Sequence, residues 1–182
     1  MVYECGEDYT FVTRVQHDTA WVFLPGQTVA LLQVTTESGA KYELDDMVLT
    51  IEGEEARLHQ AAVPDMACVN NRRSAIWEHA KLNGADFRAV GNEPGWHLVI
   101  YHDRIVLVAD YGAATYEFGA PEPTTDTTAA QTTFRTTNDS HSLAVLIEGR
   151  GCTDTMSGEE FEVTVTVTLD DITYRGCGRP LH

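Results

Sequence analysis

This 182-residue sequence predicts an all-β protein of two domains joined by one short helix, and three observations predict it. Up to residue 70, short segments of alternating apolar and polar residues follow one another closely, with Gly- or Pro-containing turns between them. One stretch, Arg72 to Asn83, carries its apolar residues at helical spacing instead. Alternation then returns and culminates in Phe161 to Leu169, where Phe161, Val163, Val165, Val167 and Leu169 share one face and Glu162 and three threonines the other. The expected divisions are a β domain at 1–70, a helical linker at 71–84 and a second β domain at 85–182.

In the first domain, Tyr9 to Val15, Ala20 to Leu24 and Val29 to Thr35 read as strands, with Pro25-Gly26-Gln27 as a turn. Two further turns, Ser38-Gly39 and Glu52-Gly53, punctuate the alternation between Thr35 and Leu58. Met47 to Ile51 and Ala56 to Leu58 continue a pattern that ends at Cys68. Strands this short and this close suggest a small antiparallel barrel or sandwich. In the helix, Ile76, Trp77, Ala80 and Lys81 recur on one side, Ser74 stands where a cap would start it, and Gly84 where it would stop. Trp77 reads as a packing anchor. In the second domain, Phe87 to Val90 and Trp96 to Tyr101 flank the turn 91–95. Ile105 to Val108, Thr115 to Phe118 and Leu143 to Ile147 follow. The Pro/Thr-rich stretch 121–133 reads as an exposed loop, and Asp170-Asp171 as the turn after the last long strand.

Charge and cysteine content narrow the function classes. Twelve Lys and Arg against 28 Asp and Glu leave a net charge of −16. Residues 1–70 hold three basic and twelve acidic side chains, the denser share. Such a field repels nucleic acid and anionic membrane and accelerates encounter with cationic partners. No apolar run approaches the roughly 20 residues of a membrane helix. The first residues have neither the basic segment nor the apolar core of an export signal. That leaves a cytosolic chain, or an exported one whose signal, and any lipid anchor, is not present here. Four cysteines, Cys5, Cys68, Cys152 and Cys177, allow three pairings, which spacing alone does not decide. Pairing Cys5 with Cys68 and Cys152 with Cys177 would staple each half separately, as small exported β domains often are.

Catalytic signatures are missing: there is no G-x-S-x-G elbow, no H-E-x-x-H and no phosphate-binding glycine loop. The histidines have no zinc-ligand spacing to any cysteine. His97 and His102 bracket a strand near Glu93 and Asp103, a pattern that structural histidines also give. Ser157 sits in a Ser-Gly turn, and Asn138-Asp139-Ser140 fits a glycosylation sequon. The sequence therefore reads as a non-enzyme without metal or cofactor.

Taken together, Tyr3 and Cys5, the pentapeptide Ser38-Gly39-Ala40-Lys41-Tyr42, the spaced Gly53, Ala56 and Leu58, and the closing Cys68 resemble the MliC family over about residues 3–70. These are bacterial periplasmic or lipoprotein inhibitors of c-type lysozyme. The resemblance implies an eight-stranded antiparallel barrel with a Cys5–Cys68 disulfide. It implies that Ser38 enters the lysozyme cleft on the loop formed with Gly39, Lys41 and Tyr42. In the family a lysine directly before the second glycine follows it, and both groups hydrogen-bond to the catalytic carboxylates. Here that position, before Gly53, is Glu52, which sets a third carboxylate against two others. Lys41 is the nearest substitute cation. The implied partner is a cationic c-type lysozyme, and the implied location the periplasm or outer membrane of a Gram-negative bacterium. The alternative is a cell-envelope structural or adaptor protein that keeps the barrel without inhibiting.

Residues 83–182 resemble a second family, a domain of exported bacterial proteins with no known activity. The matching pieces are Phe87-Arg88-Ala89, Gly91-Asn92-Glu93-Pro94-Gly95-Trp96, Cys152-Thr153-Asp154, Met156-Ser157-Gly158 and Tyr174-Arg175-Gly176-Cys177-Gly178. This makes Trp96 a core anchor and Cys152–Cys177 the expected staple. Asn92 and Glu93 either fix a constrained loop or form, with Trp96, a second site.

Overall fold

The computed structural model describes residues 1–6, 9–61 and 63–182. The chain divides into two compact units, Met1–His79 and Ala80–His182.

The first unit is a closed barrel of eight antiparallel strands in sequence order. They are β1 (Val2–Cys5), β2 (Tyr9–Gln16), β3 (Thr19–Leu24), β4 (Gln27–Val34), β5 (Ala40–Leu44), β6 (Met47–Glu52), β7 (Glu55–Gln60) and β8 (Val63–Asn70). The period-two pattern turns Tyr3, Phe11, Val22, Leu31, Tyr42, Leu49 and Leu58 into the interior, where they form one core. Thr13 also points inward, at 1% exposure, and its hydroxyl finds no partner among the described residues.

The barrel closes where β8 returns to β1. That seam is short, pairing Tyr3 with Asn70 and Glu4 with Val69. The next pair along is Cys5 and Cys68, whose Cα atoms lie 4.1 Å apart and whose sulfurs are bonded. The bridge thus fastens the thinnest part of the ladder. With a sequence separation of 63, the lost freedom of the unfolded chain stabilises by about 4 kcal/mol in the loop-entropy model.

Helix α1 (Arg72–Leu82) spans the division between the units. Asn71 caps it, not Ser74: the Ser74 N–H donates to Asn71 Oδ1 at 3.0 Å, and the Ala75 N–H to the Asn71 carbonyl at 2.9 Å. Ser74 is the third helical residue, which gives up a hydrogen to a cap and does not provide one. Gly84, at φ +80°, ends the helix as expected.

The second unit is a nine-stranded antiparallel sheet. In chain order its strands are β9 (Ala85–Asn92), β10 (Gly95–Tyr101), β11 (Arg104–Ala109), β12 (Ala114–Gly119), β13 (Thr124–Asp126), β14 (Gln131–Thr137), β15 (Ser142–Glu148), β18 (Val163–Leu169) and β19 (Ile172–Pro180). The pair β16 (Cys152–Thr153) and β17 (Glu160–Phe161) stands apart from them. The spatial order is β12-β11-β10-β9-β19-β18-β15-β14-β13. The sheet curls until β14 approaches β12. Side chains then bridge the gap: Thr136 Oγ1 donates to the Gly119 carbonyl at 2.9 Å and Asn138 Nδ2 to the Glu117 carbonyl at 3.1 Å. The sequon amide of Asn138 is therefore engaged in holding the curl.

Two expectations change here. The stretch 121–133 is not all loop, because β13 and the start of β14 lie within it, with Thr124 opposite Thr133 and Thr132 opposite Ile147. Threonine is β-branched and fits a strand, so a polar reading hides it. The run 161–169 breaks at Glu162, and Phe161 belongs to β17, opposite Cys152.

Candidate functional site

The two turns singled out in the sequence meet at one end of the barrel. Strands β5 and β6 pair with Ala40 opposite Ile51, which brings the Ser38-Gly39 loop beside the β6–β7 turn. The approach is close: a Cβ on Gly39 would lie 2.6 Å from the Ile51 carbonyl oxygen and 2.9 Å from Glu52 Cγ. Gly39 also holds φ +67°, a conformation that glycine reaches without strain. Only glycine fits on both counts. The loop is braced by Thr36 Oγ1, which donates to the Ser38 carbonyl at 3.0 Å, while the Ser38 side chain is exposed. The second turn is a two-residue hairpin, Gly53-Glu54, between the paired residues Glu52 and Glu55. Gly53, at φ +64°, takes the first turn position, where a II′ hairpin needs it.

The remaining residues of the set divide by strand parity. Tyr42 points inward and is 4% exposed, so it supports the loop from the core and offers no surface to a partner. Lys41 points outward and pairs with Glu43, its neighbour on the same face of β5. It sits on the barrel wall, opposite Thr50 and not at the loop tip. Glu52 is exposed at the tip, beside Gly39. A shallow hollow of about 220 Å³ next to it is lined by Thr50, Glu52, Glu55, Arg57, Ala67 and Val69 among others.

Sequence reasoning passed over the group that holds this turn. Glu54 accepts hydrogen bonds from Arg72 Nε at 2.9 Å and Asn70 Nδ2 at 2.9 Å, and Arg72 Nη2 also bonds to it. The Arg72 bonds, then that of Asn70, hold the Glu54 carboxyl down to about 2. The Asn70 N–H donates to the Glu54 carbonyl at 2.8 Å, tying the turn to the end of β8. A signal was present: Glu54 follows the turn glycine, and Arg72 is the first basic residue after the barrel.

No protein-family model, curated protein or solved structure matches this chain.

In the second unit the motif residues converge on one corner, and they build it. Trp96 is 5% exposed, and its Nε1 donates to the Arg175 carbonyl at 3.4 Å. Gly91 and Gly176 make room for it: a Cβ on Gly91 would lie 2.2 Å from Trp96 Nε1, and one on Gly176 2.9 Å from Trp96 Cζ2 and 2.0 Å from the Val90 carbonyl oxygen. Asn92 Nδ2 donates to Asp154 Oδ2 at 2.9 Å and to Thr155 Oγ1 at 3.3 Å. Asp154 Oδ1 accepts from the Met156 and Ser157 N–H groups at 3.0 and 2.7 Å and from Ser157 Oγ at 2.8 Å. Desolvation raises the Asp154 carboxyl, but the bonds from Ser157, Asn92 and Met156 outweigh it and hold the carboxyl below its ordinary value. The Cys152–Cys177 disulfide then ties β16 to β19. Asn92 and Ser157 are loop fasteners, and Glu93 is an exposed turn residue. His102 lies at the far end of β10 from Glu93, and among the described residues no histidines and carboxylates gather into a metal-binding group.

Proposed function

We propose that this protein binds and inhibits c-type lysozyme, presenting Ser38 on the Gly39 loop to the catalytic carboxylates. One observation supports this above the others: two glycine turns abut at the same end of a disulfide-closed barrel, with an exposed serine at the tip of one. Lysozyme needs one carboxyl protonated as acid and one ionised beside it. A hydroxyl donates to the ionised group or accepts from the protonated one. Glu52 follows Ser38 toward the same carboxylates. It accepts a hydrogen bond only from a protonated one, so binding takes up protons and weakens as pH rises. The Glu54–Arg72 pair removes a neighbouring negative charge from the same turn. The MliC-like assignment of residues 3–70 belongs to this proposal, as does a periplasmic or outer-membrane location, which the two disulfides favour.

A second reading, a cell-envelope adaptor that keeps the barrel without inhibiting, draws on a different observation. Lys41, the one lysine of residues 1–79, is paired with Glu43 on the barrel wall and does not stand at the tip.

Titrating the full chain against purified c-type lysozyme and following cell-wall hydrolysis separates the two. Inhibition predicts loss of activity that saturates near one equivalent, with association slowing as salt rises from about 10 to about 500 mM. Unchanged hydrolysis at a large excess rules inhibition out and leaves the adaptor.

A further inference from the structure

We propose that the open end of the curled sheet in the second unit binds a small apolar molecule carrying a cationic amine. The inward faces of β9, β10, β14, β15, β18 and β19 leave there a hollow of about 500 Å³, within the range of small-molecule pockets. Phe87, Ile100, Phe134, Ile147 and Val163 supply its apolar wall, and Phe134, Ile147 and Val163 are only partly buried. The segment Ala120-Pro121-Glu122-Pro123 forms one side. Its two prolines lack an N–H, so they cannot extend the β12 ladder across the gap. The end stays unsealed for a backbone reason.

The rim decides the ligand's charge. Asp86 and Glu122 line the hollow, are exposed, and form no ion pair among the described residues. The one basic side chain in the lining is His102; Arg104, outside it, has its guanidinium 4.1 Å from the centre of the Tyr101 ring and is paired with Asp103 at 3.1 Å. The polar edge thus presents two carboxylates without an ion-pair partner and one imidazole over an apolar floor. An apolar body with an ammonium group satisfies both parts, and an anionic amphiphile meets repulsion at the edge.

The test uses 4-phenylbutylamine and 4-phenylbutyrate, alike in apolar body and opposite in charge. Each is titrated into the full chain at neutral pH and low salt, with the isoleucine and valine methyl resonances followed by NMR. The amine should shift Ile100, Ile147 and Val163 saturably at millimolar concentration, and the acid should bind about fivefold more weakly or worse. Val163→Trp, which fills the hollow, should abolish binding of both. Because that change risks the fold, the exposed double variant Asp86→Asn with Glu122→Gln carries the decision. It should weaken the amine by about two- to fivefold, as loss of partly screened charge pairs does, without weakening the acid. The proposal is overturned by amine shifts absent from these methyls, by equal affinity for amine and acid, or by a double variant that binds the amine as the native chain does.

Discussion

Gly39 lies so close to Ile51 that a single added methyl group would stand 2.6 Å from the Ile51 carbonyl oxygen. The contact is backbone against backbone, and neither side can rotate away. It couples the Ser38 loop to the strand that ends in Glu52, so the two loops act as one rigid surface. Gly39→Ala should therefore destabilise the first unit by about 1–3 kcal/mol, from the left-handed backbone alone, and shift the Ser38 amide resonance. An unchanged denaturation midpoint would show that the loops are not locked.

The two disulfides should differ modestly in worth. Their sequence separations are 63 and 25, which in the loop-entropy model correspond to about 4 and about 3.5 kcal/mol. Replacing Cys5 and Cys68 together with alanine should lower the unfolding midpoint of the first unit and spare the second. The Cys152 and Cys177 double variant should do the reverse. Tryptophan fluorescence and NMR unfolding curves, read separately for each unit, check this.

Glu54 gives a pH-dependent signature. Its folded carboxyl is held at about 2 against an ordinary 4.5, so its stabilising contribution is fully present above about 4.5. It is lost as pH falls from there toward about 2. Carboxyl NMR titration should find Glu54 well below the ordinary carboxylate value, and Arg72→Ala should move its midpoint up. A native midpoint near the ordinary value would dissolve the Arg72 brace.

In the second unit, Gly176→Ala should cost about 3 kcal/mol or more, because its Cβ would lie 2.0 Å from the Val90 carbonyl oxygen and 2.9 Å from Trp96 Cζ2. Gly119→Ala, with nothing within 4 Å of its Cβ, is the matched control. Chemical denaturation of both variants distinguishes them.

Gly176 also shows why the sequence revealed the barrel more readily than the second sheet. Strands with an inward apolar residue at every second position, such as Ala20 to Leu24, are visible in the pattern. Strand β19 is not, since two of its inward positions, Gly176 and Gly178, are glycines that admit Trp96 and Phe87. Their absent side chains erase the period. Strand β14 was hidden by threonine, and the cap at Asn71 by a serine placed three residues later. At the candidate site the turns were legible because glycine marks them. Strand parity put Tyr42 in the core and Lys41 on the wall, which a motif cannot tell apart. The Glu54–Asn70–Arg72 group joins residues that only the barrel's closure brings together.

The central claim is tested most directly by the dissociation constants of the native chain, Ser38→Ala and Glu52→Lys for one c-type lysozyme, by calorimetry at neutral pH and low salt. Ser38→Ala should weaken binding by about 0.5–1.5 kcal/mol, the worth of an ordinary hydrogen bond. Glu52→Lys should tighten it by removing a like charge and adding a cation, and should flatten the loss of affinity with rising pH. If the native chain and Ser38→Ala bind equally and Glu52→Lys gains nothing, neither loop reaches the catalytic carboxylates, and the account of inhibition is contradicted.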